Sequence, residues 1–434
     1  MIKIIILTVS LFIFSGCLGL SSKPAPVIKS SKKVFEHEDT YIMFALRAEQ
    51  VHEYAAAASM FNTLYEKTNK KEYLYRSLQN ELHAEKNAEV VAKVDEVLDS
   101  SLDDYTLVRM KIIALMQLHK LEEAKELAVR LVEKSKMADD YILLSDIYVK
   151  QKKFNMAIKY LESAYTQNYN EKILDKMAII LYVNLQRKKD AIAQLETHSR
   201  VHGCSELICS RLAGFYSNDN NIEGLLSVYL RLYELDKNDD IAQKIVQIYA
   251  YKKEYVKLMD FLEKSKYDDP LLLQLYIKAK KYKEASVLAE KIYAENGEVD
   301  YLGQSAIFEY EAASDKESKA LQQSVIKKLK KVVKIDDSTP LYFNYLGYLL
   351  IDHEIDVKGG MDYIRQALKI EPNSAYYLDS LAWGYYKLGD CKKADEILKK
   401  VVTLEGGSDD EVVAHVKEIA KCLHTKTKKG KEKK

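Results

Sequence analysis

AYYLDSLAWGYYKLGDCKKADEILKKVVTLEGGS, residues 375–408, carries two short apolar stripes at helical spacing with a glycine between them. Leu378, Leu381, Ala382 and Tyr385 recur at intervals of three and four and so share one face of a helix. Gly389 stands where that stripe stops, and glycine accepts the left-handed backbone that turns a chain out of a helix. Ala394, Leu398 and Val401 form the facing stripe of a second helix, in which Ala394 is small enough to let two backbones approach closely. Helices this short are not stable alone in water, so the hairpin needs neighbours to stack on.

The chain supplies them by repetition. Residues that open the second stripe of each unit recur at Ala57, Val91, Ala124, Ala157, Ala191, Leu225, Ala285 and Ala394, and the first six are 34, 33, 33, 34 and 34 residues apart. Two further units are well formed: 138–171, with Leu144, Tyr148, Phe154, Ala157, Leu161 and Ala164, and 340–374, with Phe343, Leu346, Gly347, Ala367 and Pro372. The register places unit starts near 38, 72, 105, 138, 172, 206, 240, 266, 300, 340 and 375. The order Leu, small residue, Tyr, Gly, Ala, Leu resembles the tetratricopeptide repeat. That resemblance implies an all-α fold, a right-handed α-solenoid or superhelix of about eleven helical hairpins, with inner-groove residues contributed by the first helix of each. Two arrays are expected, 38–265 and 266–408. The unit at 240–265 is short and the one from 300 carries the polar insert AASDKES, so a break in stacking is expected between 240 and 339. A capping helix over 409–425, with Val412, Val413, Val416, Ile419, Ala420 and Leu423, closes the array.

With 66 basic against 65 acidic side chains, the body is not built to neutralise phosphates, and nucleic acid is not an expected partner. Residues 1–16 read as a signal peptide: Lys3, then a mainly apolar, uncharged run from Ile4 to Phe14, then Ser15 and Gly16. The run is too short to span a bilayer. Phe14-Ser15-Gly16-Cys17 resembles a bacterial lipobox, which implies cleavage before Cys17 and lipidation of that cysteine. Leu18, where an aspartate would imply inner-membrane retention, favours the periplasmic face of the outer membrane. Residues 17–37 are rich in Ser, Lys and Pro and read as a flexible tether reaching on the order of 25 Å. The stretch 426–434, rich in lysine, reads as a disordered tail, with contact to an anionic surface as its functional alternative.

Beyond Cys17, four cysteines are left in a compartment that permits oxidation. Cys391 opens a second helix and Cys422 lies near the end of the antiparallel cap that packs on it, so the two meet; Cys204 and Cys209 flank the entry to a first helix. Each pair is a candidate disulfide, the other reading being buried thiols. His198 and His202, a helical turn apart and followed by those two cysteines, suggest zinc chemistry, but their spacing matches no established finger and His198 falls on the core side. No metal and no other cofactor is expected. By the repeat resemblance, Asn344, Tyr348, Asp379, Trp383 and Tyr386 line the inner groove and suit a peptide. Arg76, Asn80 and Arg109 resemble part of the clamp that holds a peptide carboxylate in chaperone-binding members. The sequence holds no Gly-rich phosphate loop, HExxH or GxSxG. The functional expectation is a non-catalytic scaffold or adaptor lipoprotein that binds proteins of an envelope complex. A periplasmic chaperone or carrier that holds clients in the groove is the rival.

Overall fold

The computed structural model describes residues 35–98, 102–406 and 409–431, with side chains up to His424. The leader, Cys17 and most of the tether lie outside the described residues, as do the last three lysine-rich positions. The chain divides into two compact units at the Gly203–Cys204 bond, whereas the sequence reading divided the array after residue 265.

All regular structure among the described residues is helical. The first unit holds five hairpins: α1 (Glu38–Gln50) with α2 (Tyr54–Thr68), α3 (Lys71–His83) with α4 (Asn87–Val97), and α5 (Tyr105–Gln117) with α6 (Leu121–Ser135). Then come α7 (Ala138–Lys150) with α8 (Phe154–Asn168), and α9 (Glu171–Ile179) with α10 (Lys188–His202); α9 ends in a π turn, Ile180–Asn184. In the second unit α11 (Glu206–Asn218) pairs with α12 (Ile222–Leu235), α13 (Asp239–Tyr251) with α14 (Tyr255–Ser265), and α15 (Asp269–Lys278) with α16 (Tyr282–Asn296). It continues with α17 (Val299–Ala312) and α18 (Lys319–Ile335), α19 (Pro340–Asp352) and α20 (Val357–Ile370), then α21 (Ala375–Lys387) and α22 (Cys391–Val401). A last helix, α23 (Asp410–Lys431), follows. Eleven hairpins are thus present among the described residues, beginning within three residues of every start read from the sequence.

Ten of the eleven hairpins turn in the same way, the exception being α17 with α18, which the polar insert joins. Between the two helices one residue adopts positive φ: His52, Glu85, His119, Lys152, Gln186, Asn220, Lys253, Lys280, Glu354 and Gly389. In the second hairpin the amide of Lys86 donates to the Glu81 carbonyl, and that of Ala84 to Asn80, so the last carbonyls of α3 are satisfied locally. Gly389 is the glycine of this series, while the other turns hold a side chain in the left-handed region, which costs about 1 kcal/mol or more each.

The second-helix alanines do what their size predicts. Ala57, Ala124, Ala157, Ala191, Ala285 and Ala394 are all fully buried. In the second hairpin the buried position is Val90 rather than Val91, and Leu225 is half-buried. The backbones of α19 and α20 approach closely, so that a Cβ on Gly347 would lie 2.6 Å from the Gly360 carbonyl oxygen.

Stacking does not falter after residue 240. One continuous apolar cluster runs from Leu226 through Ile245, Leu262, Leu273 and Ala289 to Ile292. The short unit keeps both of its helices by trimming α14 and α15 to 11 and 10 residues rather than by losing one. The polar insert is a loop between α17 and α18, and the side-chain Nε2 of Gln322 ties it down by donating to the Lys316 carbonyl.

The cap packs Val412 and Ile419 onto the last hairpin, beside Ala394, Leu398 and Val401. Val413, expected on that face, is exposed. The cap helix continues to Lys431, into the stretch read as a disordered tail.

Candidate functional site

The N-terminal clamp residues are already engaged within the fold. Arg76 donates from Nε and Nη2 to the two oxygens of Glu49 at 2.7 and 2.5 Å, and Asn80 Nδ2 adds a third hydrogen bond at 2.6 Å. Burial pushes the Glu49 carboxyl up, but these donors outweigh it and hold the group below the usual carboxylate range. Arg109 makes a bidentate pair with Asp140 at 2.6 and 2.9 Å, and Asp140 is buried. These cations join one hairpin to the next.

The C-terminal groove is arranged differently. Asn344 and Tyr348 from α19 and Asp379 from α21 line one cavity, whereas Trp383 and Tyr386 do not reach it. Trp383 donates from Nε1 to Asp352 at 2.9 Å and stacks on Tyr386, with centroids 4.7 Å apart. Its ring also meets His415 of the cap, 4.0 Å away and nearly parallel. Nδ1 of His415 hydrogen-bonds Asp379 at 2.7 Å, and both groups are buried. The chain's own cap therefore covers Trp383.

The cavity, about 570 Å³, is walled by α17, α19 and α21, the insert, and the first turn of α23. Its walls are tyrosines and carboxylates. Tyr345 donates to Glu311 at 2.6 Å and Tyr376 to Asp409 at 2.7 Å, while Tyr310 meets His353 at 2.9 Å. Burial pushes the Tyr310 hydroxyl up to about 12, with Asp352 and Glu311 adding to the effect. Burial also raises Tyr345 and Tyr348, helped by Glu311 and Glu411 respectively. All three phenols therefore stay protonated as hydrogen-bond donors. Sequence reasoning found three of the lining residues and missed Tyr310, Tyr345 and Tyr376, and it also missed His415, which holds Asp379. The signal for His415 was a polar residue inside the apolar stripe of the cap; Tyr376 lies three residues before Asp379 on the same helix.

The structure bonds Cys391 to Cys422, with Cα atoms 6.0 Å apart, and Cys204 to Cys209 at 5.5 Å. Both separations are ordinary for disulfides. His198 hydrogen-bonds Tyr165 at 2.7 Å and Glu171 at 3.3 Å, and its ring lies 4.7 Å from that of His202 at a tilt of 33°. A second, mainly apolar cleft of about 640 Å³ lies between α8, α9 and α10, lined by Tyr165, Tyr169, Met177, His198 and His202. No helix among the described residues is long and apolar enough to cross a membrane.

No family model matches the chain. A TPR repeat-containing protein of Methanocaldococcus jannaschii, MJ1428, is 19% identical over 354 residues, which cover 72% of this chain. Both units are tetratricopeptide-type helical arrays. The chain spans 60% of the length of that relative. Among solved structures, a chain of the APC/C hetero-tetramer Cut9–Hcn1 overlays 89% of this chain and 97% of its own length at 10% identity, with a TM-score of 0.37. MamA overlays 38% of this chain and 91% of its own length at 19% identity, with a TM-score of 0.30. Overlays this loose carry nothing further.

Proposed function

We propose that the chain is a non-catalytic scaffold of the bacterial envelope, held by a lipid on Cys17 at the periplasmic face of the outer membrane, which docks protein partners through its second unit. The cavity beneath Tyr348 carries this reading. It is a concave, tyrosine-rich space on the first-helix side of the last three hairpins, and two lining residues, Asn344 and Asp379, each have a buried Oδ1 without a hydrogen-bond partner among the described residues. Buried acceptors of this kind cost free energy until a donor arrives. Tyrosines supply large contact area with little loss of rotamer freedom. The leader and lipobox motif supply the address.

Affinity capture of the full chain from envelope fractions tests the reading. A scaffold yields one or a few partners at fixed stoichiometry, lost on Tyr348→Ala and displaced to the soluble fraction on Cys17→Ala. Many clients at sub-stoichiometric levels, indifferent to Tyr348, would favour the carrier reading instead.

A further inference from the structure

One face of α1 is apolar and open to solvent. Met43 is 59% exposed, Phe44 53% and Leu46 41%, and with Ile42 they line a shallow concavity that also takes in Asp39 and Arg47. Repeat register tells which face this is. Ala57 and Ala157 are the buried alanines of their second helices, 100 residues apart, so Phe44 corresponds to Leu144 and Arg47 to Ile147. Both of those are fully buried, on a helix, α7, that packs against α6 of the hairpin before it. The exposed face of α1 is thus a stacking face, left open by the described residues. Contiguous exposed apolar side chains mark a surface that meets a partner or a membrane.

Charge selects the occupant. The stretch that leads into α1, residues 18–34, holds Lys23, Lys29, Lys32 and Lys33 and no carboxylate. Within the face itself Arg47 stands where α7 has Ile147, so a cation replaces the apolar residue that stacking against another hairpin uses. Of the three carboxylates of α1, two are turned into the fold: Glu38 accepts from Lys70 and Tyr73, and Glu49 from Arg76 and Asn80, which leaves Asp39 as the acid on this face. Apolar side chains beside clustered cations suit anionic headgroups over an acyl interior. We propose that this face of α1 seats on an anionic phospholipid surface, with Met43, Phe44 and Leu46 entering the acyl boundary and Arg47 and the tether lysines meeting the headgroups. The inference rests on the envelope reading, in which the lipid on Cys17 and a tether of about 25 Å bring the start of α1 within reach of a bilayer. It adds a second, non-covalent hold that lays the first hairpin against the membrane.

Cosedimentation with lipid vesicles tests this on a chain begun at residue 17 with Cys17→Ser, which keeps every described residue and carries no acyl group. The expected result is saturable binding to vesicles of phosphatidylglycerol and phosphatidylcholine that weakens as salt rises. Binding should be at least about tenfold weaker to phosphatidylcholine alone, and for the double variant Met43→Ser with Phe44→Ser. Val287→Ser, an equally exposed apolar side chain on α16, should leave it unchanged. Far-UV circular dichroism establishes that the double variant is folded. No binding, binding unmoved by the double variant, or equal binding to the two vesicles overturns the proposal. A polarity-sensitive dye on Met43→Cys, the other four cysteines being paired, identifies the occupant. Its emission should shift to the blue when anionic vesicles are added. Emission already blue in the dilute chain and unmoved by vesicles would place residues 18–34 on the face, and a shift that follows protein concentration instead would place a second copy there; either result overturns the proposal. Failure here while Cys17→Ala still releases the chain to the soluble fraction would leave the lipid reading standing without its second contact. Vesicle binding beside a Cys17→Ala chain that stays with the membrane would keep the α1 surface and remove the lipid.

Discussion

At the scale of single residues, the turn series and the buried pairs make the sharpest predictions. Gly389 has φ +79°, so Gly389→Ala forces a Cβ into the left-handed region and should cost about 1–2 kcal/mol in urea unfolding. Lys152, at φ 58°, is the mirror case, and Lys152→Gly should leave stability unchanged or raise it by about 0.5 kcal/mol. The same comparison separates two arginines that look alike in sequence. Arg109→Met strands Asp140, whose side chain is 0% exposed, and should cost about 3 kcal/mol, whereas Arg76 is half in solvent and its loss should cost about 1 kcal/mol. Glu49 supplies a pH signature. Its folded pKa is depressed, so the stability it contributes is fully present above its ordinary pKa and fades as the pH falls through the lower folded value. Acid unfolding curves of Glu49→Gln and wild type should therefore converge as the pH drops below about 4.5.

At the scale of elements, the helical hairpin was legible because its signal is geometric. Apolar residues at three and four spacings, and a small or aliphatic residue every 33 or 34 residues from Ala57 to Leu225, place nearly every helix start. Where the sequence misled, the cause was local. The shortened α14 and α15 looked like a break, but a two-helix repeat keeps its stacking surfaces as long as both stripes survive, and Leu258, Leu262 and Leu272 preserve them. The groove was legible only by half. Positions on α19 and α21 follow from repeat register, but nothing in the spacing shows that His415 of the cap lies over Trp383, since that contact depends on how a following helix docks. Two experiments act on these elements. Gly347→Ala should cost about 1–3 kcal/mol through overpacking of α19 on α20. Reducing the Cys391–Cys422 bond, which closes a loop of 31 residues, should remove about 3–4 kcal/mol from the docking of α23 and change Trp383 fluorescence before the rest of the chain unfolds.

At the scale of the whole molecule, two compact units joined at Gly203–Cys204 predict more than one unfolding step. Trp383 is the sole tryptophan and belongs to the second unit, so its fluorescence transition should not coincide with the helix transition seen by circular dichroism. Superimposable curves would mean that the units unfold as one. Function at this scale was the least legible part of the sequence. A repeat register says which residues face a groove but not which of them the fold consumes: Arg76 and Asn80 are occupied by Glu49, and Trp383 by the cap, while Asn344 and Asp379 keep free acceptor atoms. The proposed docking surface is thus smaller and more acidic than the groove read from spacing. Site-specific photocrosslinking in intact cells, from position 348 in the cavity and from the exposed Lys399 on α22, tests it most directly. Adducts of defined mass from position 348 and none from 399 are the predicted result; adducts from 399 alone would contradict it.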